Sequence, residues 1–115
     1  KIKINFTPHL APMFRGILST IYIDVNKNVS FLKIIKTLTR YYSKHTFIKV
    51  YQNEKLLSTN NVINTNNCFI SINKSRKKRK LIILSAIDNL IKGGAGQAVQ
   101  NLNLKFNFPT TSGLR

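Results

Sequence analysis

A glycine-rich corner near the carboxyl end of the chain carries residues suited to meet a ligand. In residues 85–100, Asp88 and Asn89 break an apolar stretch, and three glycines follow, Gly93, Gly94 and Gly96. Because glycine has no Cβ, backbone N–H groups in such a corner can approach a bound group closely. Apolar residues recur at helical spacing from Ala95, so we expect a helix with unpaired N–H donors to begin here.

The corner by itself does not specify which ligand it would meet. Neither a GxGxxG nor a GxxxxGK[ST] pattern is present in residues 85–100. These are the spacings that identify dinucleotide-binding and phosphate-binding loops. A purely structural turn between a strand and a helix therefore stays open as the alternative interpretation.

Two side chains near the amino end are candidates for contact with a substrate. Arg15 lies where a proline-containing loop meets an apolar stretch. Its guanidinium can form paired hydrogen bonds with a carboxylate or a phosphate. His9, between Pro8 and Leu10, carries an imidazole that could hold a proton. The alternatives are an arginine satisfied by backbone carbonyls or by a partner subunit, and a packed or exposed loop histidine.

Hydrophobic periodicity predicts the elements that position these residues. Alternating Ile2, Ile4 and Phe6 predict a half-buried strand, and residues 17–25, apolar on both sides, predict an interior strand. Ser30 is expected to cap a helix with Lys33, Lys36 and Arg40 facing outward. The apolar stripe of that helix consists of Phe31, Ile34, Ile35, Leu38 and Tyr42.

The second half of the chain predicts further strands. Residues 47–51 form one strand, residues 53–67 form a polar connection, and residues 68–73 pair with 80–87 as a hairpin. The helices are expected on one face of a mostly antiparallel mixed sheet. The predicted fold class is therefore α+β.

Composition limits the classes of protein to which the chain can belong. Its 115 residues, 43% of them hydrophobic, can bury one modest core. A single cysteine, Cys68, excludes an internal disulfide and most metal frameworks, so no metal site is predicted. Neither a signal peptide nor an apolar run of the roughly 18 residues that a membrane span needs is present. These features predict a cytoplasmic protein, and the first residue, a lysine within an apparent strand, suggests a piece of a longer chain.

The charge is strongly positive, with 19 basic and 3 acidic residues and a net charge of +16. Such a balance often indicates a nucleic-acid partner. We interpret it otherwise, because lysine, asparagine and isoleucine are enriched together and no RNP-like, zinc-finger or helix-turn-helix pattern accompanies it. The densest run, residues 74–80, is interpreted as a solvated hairpin tip, with a nucleic-acid or localisation patch as the alternative.

Four segments of the chain resemble successive motifs of one enzyme family. They are residues 6–20 (FTPHLAPMFRGILST), 64–68 (NTNNC), 85–101 (SAIDNLIKGGAGQAVQN) and 110–114 (TTSGL). Their order and spacing are similar to the C-terminal part of N-acetyl-gamma-glutamyl-phosphate reductases, which have a glyceraldehyde-3-phosphate-dehydrogenase-like fold. The resemblance covers nearly the whole chain.

The resemblance implies a domain assignment, a cofactor and partners. Residues 1–115 would be the C-terminal part of a catalytic and dimerisation domain, with residues 88–106 as a cofactor-facing corner and C-terminal helix. The N-terminal dinucleotide-binding domain would be absent from this chain and would be its partner in the full protein. The cofactor would be NADP, the substrate N-acetyl-gamma-glutamyl phosphate, the pathway arginine biosynthesis, and the assembly a homo-oligomer, either a dimer or a tetramer.

The resemblance also implies roles for individual residues. Asn89, Lys92, Gly93 and Gly94 resemble the corner that lies against the nicotinamide end of the cofactor in related dehydrogenases. The family's nucleophile lies in a Gly-Cys-Tyr/Phe-x-Thr turn and its acid-base histidine in a His-x-Pro-Glu-like segment, and this chain has neither. No catalytic residue is therefore predicted here, Cys68 is interpreted as a small buried thiol, and the chain alone is expected to be inactive.

Three other interpretations remain open at this point. A small basic nucleic-acid-binding module would explain the charge, and a noncatalytic interaction fragment would explain the missing nucleophile. An aminoadipyl-phosphate reductase of the same family would share these motifs, because the shape of the pocket makes that choice.

Overall fold

The chain forms four strands and two helices along one mixed sheet. The computed structural model describes residues 3–115. The elements, in chain order, are β1 (Ile17–Asp24), α1 (Phe31–Tyr42), β2 (Ile48–Tyr51), β3 (Cys68–Lys74), β4 (Lys80–Ile87) and α2 (Gly96–Lys105). The strand order is β1-β4-β3-β2, with β4 antiparallel to both neighbours and β2 parallel to β3. This confirms the predicted α+β class.

Helix α1 covers one face of the sheet, and it begins where the sequence predicted. The Ser30 hydroxyl accepts a hydrogen bond from the Lys33 N–H at 3.2 Å, which caps the first turn. Ile35 is buried against Ile72 and Leu81 of the sheet, so the apolar stripe of the helix closes this half of the core. Neither helix within residues 3–115 is long and apolar enough to cross a membrane.

The opposite face of the sheet is covered by the connection between β2 and β3, which has no long helix. Leu57 and Val62 from this connection pack on Leu84 and Ala86 of β4. Leu81 faces α1 instead, because successive side chains of a strand point to opposite faces. Strand β4 is thus buried on both sides, which explains its nearly continuous apolar sequence.

The predicted hairpin of β3 and β4 is confirmed, but β1 is not an interior strand. It pairs only with β4, and its outer edge has no strand partner among residues 3–115. The exposed side chains of β1 include Ile17, Leu18, Ile21 and Tyr22. A strand with apolar residues on both faces is buried only where neighbouring elements cover it. None of the described elements covers the outer edge of β1.

The predicted strand at the amino end is also wrong for the residues that the structure describes. Residues 3–10 have no regular structure, with Ile4 80% and Phe6 83% exposed. Ile2 lies outside the described residues. Alternation of apolar and polar residues predicts a strand only where a second strand can pair, and none of the described strands pairs with this segment.

Candidate functional site

Three distant parts of the chain meet at the carboxylate of Asp88, which directly follows β4. This side chain is fully buried. Its Oδ1 accepts hydrogen bonds from the N–H groups of Leu90 at 2.9 Å and Ile91 at 3.0 Å. Its Oδ2 accepts from the N–H of Asn64 at 2.8 Å, and the Nε of Arg15 lies 3.0 Å from Oδ1 and 2.8 Å from Oδ2. The carboxylate therefore ties the corner to two loops.

The same contacts keep Asp88 charged. Burial alone would raise the pKa of Asp88, because it disfavours the charged form. The N–H donors of Asn64, Ile91 and Leu90 and the guanidinium of Arg15 outweigh this effect, so the pKa lies below its ordinary value. Asp88 is consequently a fixed anion near neutral pH and is not poised to donate a proton.

Asn89 and Arg15 fix the loop that precedes β1. The Oδ1 of Asn89 accepts a hydrogen bond from the Gly16 N–H at 2.7 Å, and the Nη1 of Arg15 donates to Oδ1 of Asn64 at 3.1 Å. Gly16 has φ +107°, and a Cβ there would lie 2.5 Å from Cβ of Thr59, so only glycine fits. We call Arg15, Asn64, Asp88 and Asn89 the corner network.

Contacts within the corner network explain why most of the Arg15 side chain is buried. Its side chain is only 18% exposed, and Nε and Nη1 are engaged by Asp88 and Asn64. This ion pair is neither of the two alternatives that the sequence left open for Arg15, which were contact with backbone carbonyls and contact with a partner subunit. A contact between Arg15 and a substrate stays a prediction.

The N–H groups of Gly93 and Gly96 are not the unpaired donors that the sequence predicts. The N–H of Gly93 donates to the Asp88 carbonyl at 2.9 Å, and the N–H of Gly96 donates to the carbonyl of Ile91. These bonds span five residues and form a π-type turn over Ile91–Ala95, kinked at Gly94 (φ −148°, ψ −113°), before α2 begins. The wider turn uses N–H groups that an ordinary helix start would leave unpaired.

Gly94 and Gly96 differ in the space beside them. A Cβ on Gly94 would meet only the Asn89 carbonyl oxygen, at 3.4 Å, and Gly94 is exposed. A Cβ on Gly96 would lie 2.5 Å from both Oδ1 of Asn66 and Cγ2 of Ile91. Gly94 thus leaves room for a ligand, whereas Gly96 allows close packing within the chain.

The ammonium of Lys92 is engaged within the chain. Its Nζ donates to Oε1 of Gln100 at 2.7 Å and lies 5.5 Å from the centre of the Phe47 ring. Burial lowers the pKa of Lys92, and the charge of a Cys68 thiolate would partly offset that change. Contact between Lys92 and a cofactor stays a prediction.

Comparison with known proteins gives the family. The model of the semialdehyde dehydrogenase dimerisation domain matches residues 1–89, a range that contains the whole corner network. The chain belongs to this family. The semialdehyde dehydrogenase dimerisation domain therefore includes Arg15, Asn64 and the carboxyl end of β4.

Three relatives that match nearly the whole chain carry the same name. An N-acetyl-gamma-glutamyl-phosphate reductase of Halothermothrix orenii is 44% identical over 115 residues, which cover 100% of this chain and 33% of the relative. Those of Clostridium botulinum (strain Eklund 17B) and Staphylococcus aureus (strain MRSA252) are 44% and 40% identical over 114 residues, covering 99% of this chain and 33% of each relative. The resemblance found in the motifs is confirmed, and the chain spans about a third of these relatives' length.

His9 and Cys68 also lie outside the corner network. His9 is in the exposed segment before β1. Cys68 begins β3, as predicted, where its N–H donates to the Phe47 carbonyl at 2.7 Å and its Sγ lies 3.6 Å from Oγ of Ser85. A substrate role for His9 stays a prediction, as does a purely structural role for Cys68.

Two buried asparagines of the chain organise the structure and were not singled out in the sequence. Asn66 donates through Nδ2 to Oε1 of Gln100 at 2.9 Å, and its N–H donates to the Arg115 carbonyl at 2.6 Å. Asn103 donates through Nδ2 to the Ser112 carbonyl at 2.9 Å, so the last residues of the chain fold back on α2. In the sequence these asparagines are recognisable only as polar residues. Asp88 did carry a signal, as one of only three acidic residues and directly after an apolar strand.

Proposed function

We propose that this dimerisation domain is the C-terminal part of an NADP-dependent reductase. The reductase would convert N-acetyl-gamma-glutamyl phosphate into N-acetylglutamate semialdehyde and phosphate, in the cytoplasm and as a homo-oligomer. The main observation in support is that the segments resembling this enzyme meet around Asp88 at one end of the sheet, although they are separate in sequence. Relatives of that name are 40–44% identical over nearly all of the chain, which further supports the proposal.

Three residues of the corner have the chemistry and the space to meet a nicotinamide group. Asn89 uses its Oδ1 to accept from Gly16, which leaves its Nδ2 to donate to a carboxamide oxygen. The space beside Gly94 is open, and a Cβ added at Gly93 would make only ordinary van der Waals contacts. Asn89, Gly93 and Gly94 therefore fit the nicotinamide end of NADP. The cofactor supplies the hydride, and these residues would orient its ring.

Substrate contacts at this site are proposed for Arg15 and His9. Asp88 and Asn64 engage Nε and Nη1 of Arg15, so a substrate carboxylate or phosphate would be reached through the remaining N–H groups, chiefly at Nη2. His9 stands in an exposed segment, and its position in a complete site would depend on what packs against that segment. The net charge of +16 would attract the anionic substrate.

The test of the proposed function uses the complete protein that carries this chain. Oxidation of NADPH should follow addition of N-acetyl-gamma-glutamyl phosphate, and NADH and the aminoadipyl analogue should be compared in parallel. The separate chain of 115 residues should show no turnover. Failure of the complete protein to oxidise NADPH with either acyl phosphate would refute the proposal, and turnover by the separate chain would refute the placement of the nucleophile outside it.

Replacing Cys68 in the complete protein should leave most of the turnover intact. Cys68 begins a strand and has Ser85 beside its sulfur, a group that does not act as a general base without further activation. We expect Cys68→Ala to change kcat less than about twofold, whereas loss of a nucleophile costs several orders of magnitude. Steady-state kinetics of both proteins provide the measurement, and a loss of that larger size would place the nucleophile at Cys68.

Substitution at Gly94 separates a ligand-contacting corner from a simple turn. A Cβ at this position meets only the Asn89 carbonyl oxygen, so Gly94→Val should project its methyl groups into the open space where the cofactor is proposed to lie. We expect kcat/KM to fall roughly 10- to 100-fold, the usual scale for misplaced reactants, with little change in melting temperature. A lower melting temperature with normal kinetic constants would contradict the cofactor contact.

A further inference from the structure

The tip of the β3–β4 hairpin is a turn with a defined shape. We call residues 74–80 the basic tip. The N–H of Ser75 donates to the Lys80 carbonyl at 3.3 Å, and the N–H of Val25 donates to the Arg79 carbonyl at 2.9 Å. These bonds connect the tip to the end of β1 as well as to its own two strands. The charges of the tip are therefore held on a structured surface.

Most of the charge of the basic tip has no acidic partner within the described part of the chain. Six of its seven residues are basic. Lys74 lies 3.6 Å from Glu54 and Lys80 lies 2.6 Å from Asp24. The other four cations are exposed and form no ion pair with residues 3–115: Arg76, Lys77, Lys78 and Arg79.

An exposed aromatic ring lies beside these cations. Tyr22 of β1 is 71% exposed and pairs in register with Ile82 of β4. These two residues line an open groove of about 570 Å³ together with five residues of the basic tip: Lys74, Ser75, Arg76, Lys77 and Lys80. A basic groove beside an aromatic ring is the arrangement with which proteins bind single-stranded nucleic acid, because cations contact the phosphates and bases stack on the ring.

We propose that this groove binds a single-stranded segment of nucleic acid, with its phosphates on the basic tip and a base stacked on Tyr22. The sequence alone favours a solvated tip, because it does not place an aromatic ring beside the run of charge. Arg76 and Lys77 line the groove, and the exposed charges of Lys78 and Arg79 follow them along the tip, which favours several successive phosphates over a single one. The groove lies at the start of β4 and the corner network at its end, about 25 Å away along an eight-residue strand, so the two sites are independent.

The test is direct binding of a fluorescent 12-nucleotide RNA to the complete protein, measured at several salt concentrations. The triple variant Arg76→Gln, Lys77→Gln, Lys78→Gln should bind at least about tenfold more weakly, and the slope of log affinity against log salt should fall by roughly 2. The matched control is Arg40→Gln, Lys36→Gln, Lys44→Gln, which removes equal charge from exposed positions on and just after α1. This control should change both quantities much less.

The role of Tyr22 is tested with two substitutions that both suit a strand. Tyr22→Thr should weaken RNA binding roughly 5- to 150-fold through loss of stacking, whereas Tyr22→Phe should retain it. Heparin has no bases, so its binding should not respond to Tyr22→Thr. A DNA oligomer of the same sequence shows whether the 2′-hydroxyl contributes, and tight binding of either single strand supports the proposal.

Several results would overturn the proposal. They are equal weakening by the two triple variants, RNA binding that is unchanged in Tyr22→Thr, and duplex binding as tight as single-strand binding. The first would show that only net charge attracts the polyanion. If Tyr22→Thr does not fold, the triple variants and the comparison with a duplex still decide.

Discussion

Replacing Asp88 by alanine should lower the free energy of unfolding by about 3–5 kcal/mol, the usual cost of removing one partner of a buried ion pair. The substitution leaves the N–H groups of Asn64, Leu90 and Ile91 without their acceptor. It also leaves the guanidinium of Arg15 without its counter-ion. A loss of this size is a large fraction of the stability of most domains. Urea denaturation of the complete protein measures it.

The matched control for this prediction is Asp24→Ala. Asp24 is also an aspartate in an ion pair, 2.6 Å from Lys80, but its side chain is 78% exposed. An exposed pair contributes at most about 1 kcal/mol, so this variant should be close to the parent protein. Equal losses in the two variants would show that the buried contacts of Asp88 contribute no more than a surface charge.

The pH dependence of stability gives a second measurement on Asp88. Its pKa is lowered in the folded protein, so its stabilising contribution is fully present above the pKa of an unfolded aspartate, about 3.9. That contribution is lost as the pH falls through the lower pKa of the folded state. Asp88→Asn should therefore lose less stability on acidification below about pH 4 than the parent protein does.

Gly96→Ala should destabilise the protein by roughly 1–3 kcal/mol, the cost of overpacking. Helix propensity alone predicts the opposite sign, because alanine is favoured over glycine in a helix by about 1 kcal/mol. The added Cβ would lie 2.5 Å from Oδ1 of Asn66 and from Cγ2 of Ile91, and 2.8 Å from the Ile91 carbonyl oxygen. The side chain of Asn66 is itself fully buried and has little room to move.

A nearby glycine provides the comparison for Gly96. A Cβ on Gly93 would meet its nearest atoms at 3.5 Å and 3.6 Å, which is ordinary van der Waals contact. Gly93→Ala should therefore change the melting temperature little, whereas Gly96→Ala should lower it clearly. A Gly96→Ala protein as stable as the parent would contradict this prediction. It would mean that the turn over Ile91–Ala95 and α2 move apart without loss of stability.

The local elements were predictable because local periodicity determines them. The stripe from Phe31 to Tyr42 with Ser30 before it predicts α1 and its cap, and two apolar runs flanking a basic segment predict the hairpin. The class of fold follows from these elements. What periodicity does not supply is the neighbour of each strand. For this reason β1 was predicted as interior, and residues 3–6 were predicted as a strand.

The candidate site was only partly predictable, because its contacts join residues that are distant in sequence. The residue types of Asn89 and the glycines indicate a corner that meets a ligand, and the residue type of Arg15 indicates a contact with an anionic substrate. That Asp88 holds Arg15 and Asn64 depends on the register of β1 and β4, which no local pattern encodes. The direction in which the Lys92 side chain points depends on the π-type turn, and residue types alone do not specify that turn.

The corner network also has a place in the order of folding, because 73 positions separate Arg15 from Asp88. The hairpin of β3 and β4 closes first, across its short tip, since nearby contacts cost the least chain entropy. We expect β1 to add to β4 afterwards, so that Arg15 reaches Asp88 only once β1 is in place. The contact of Arg15 with Asp88 is therefore expected to form late, and amide hydrogens of Leu90 and Asn64, at this end of the sheet, should exchange with solvent sooner than those at the centre of β4.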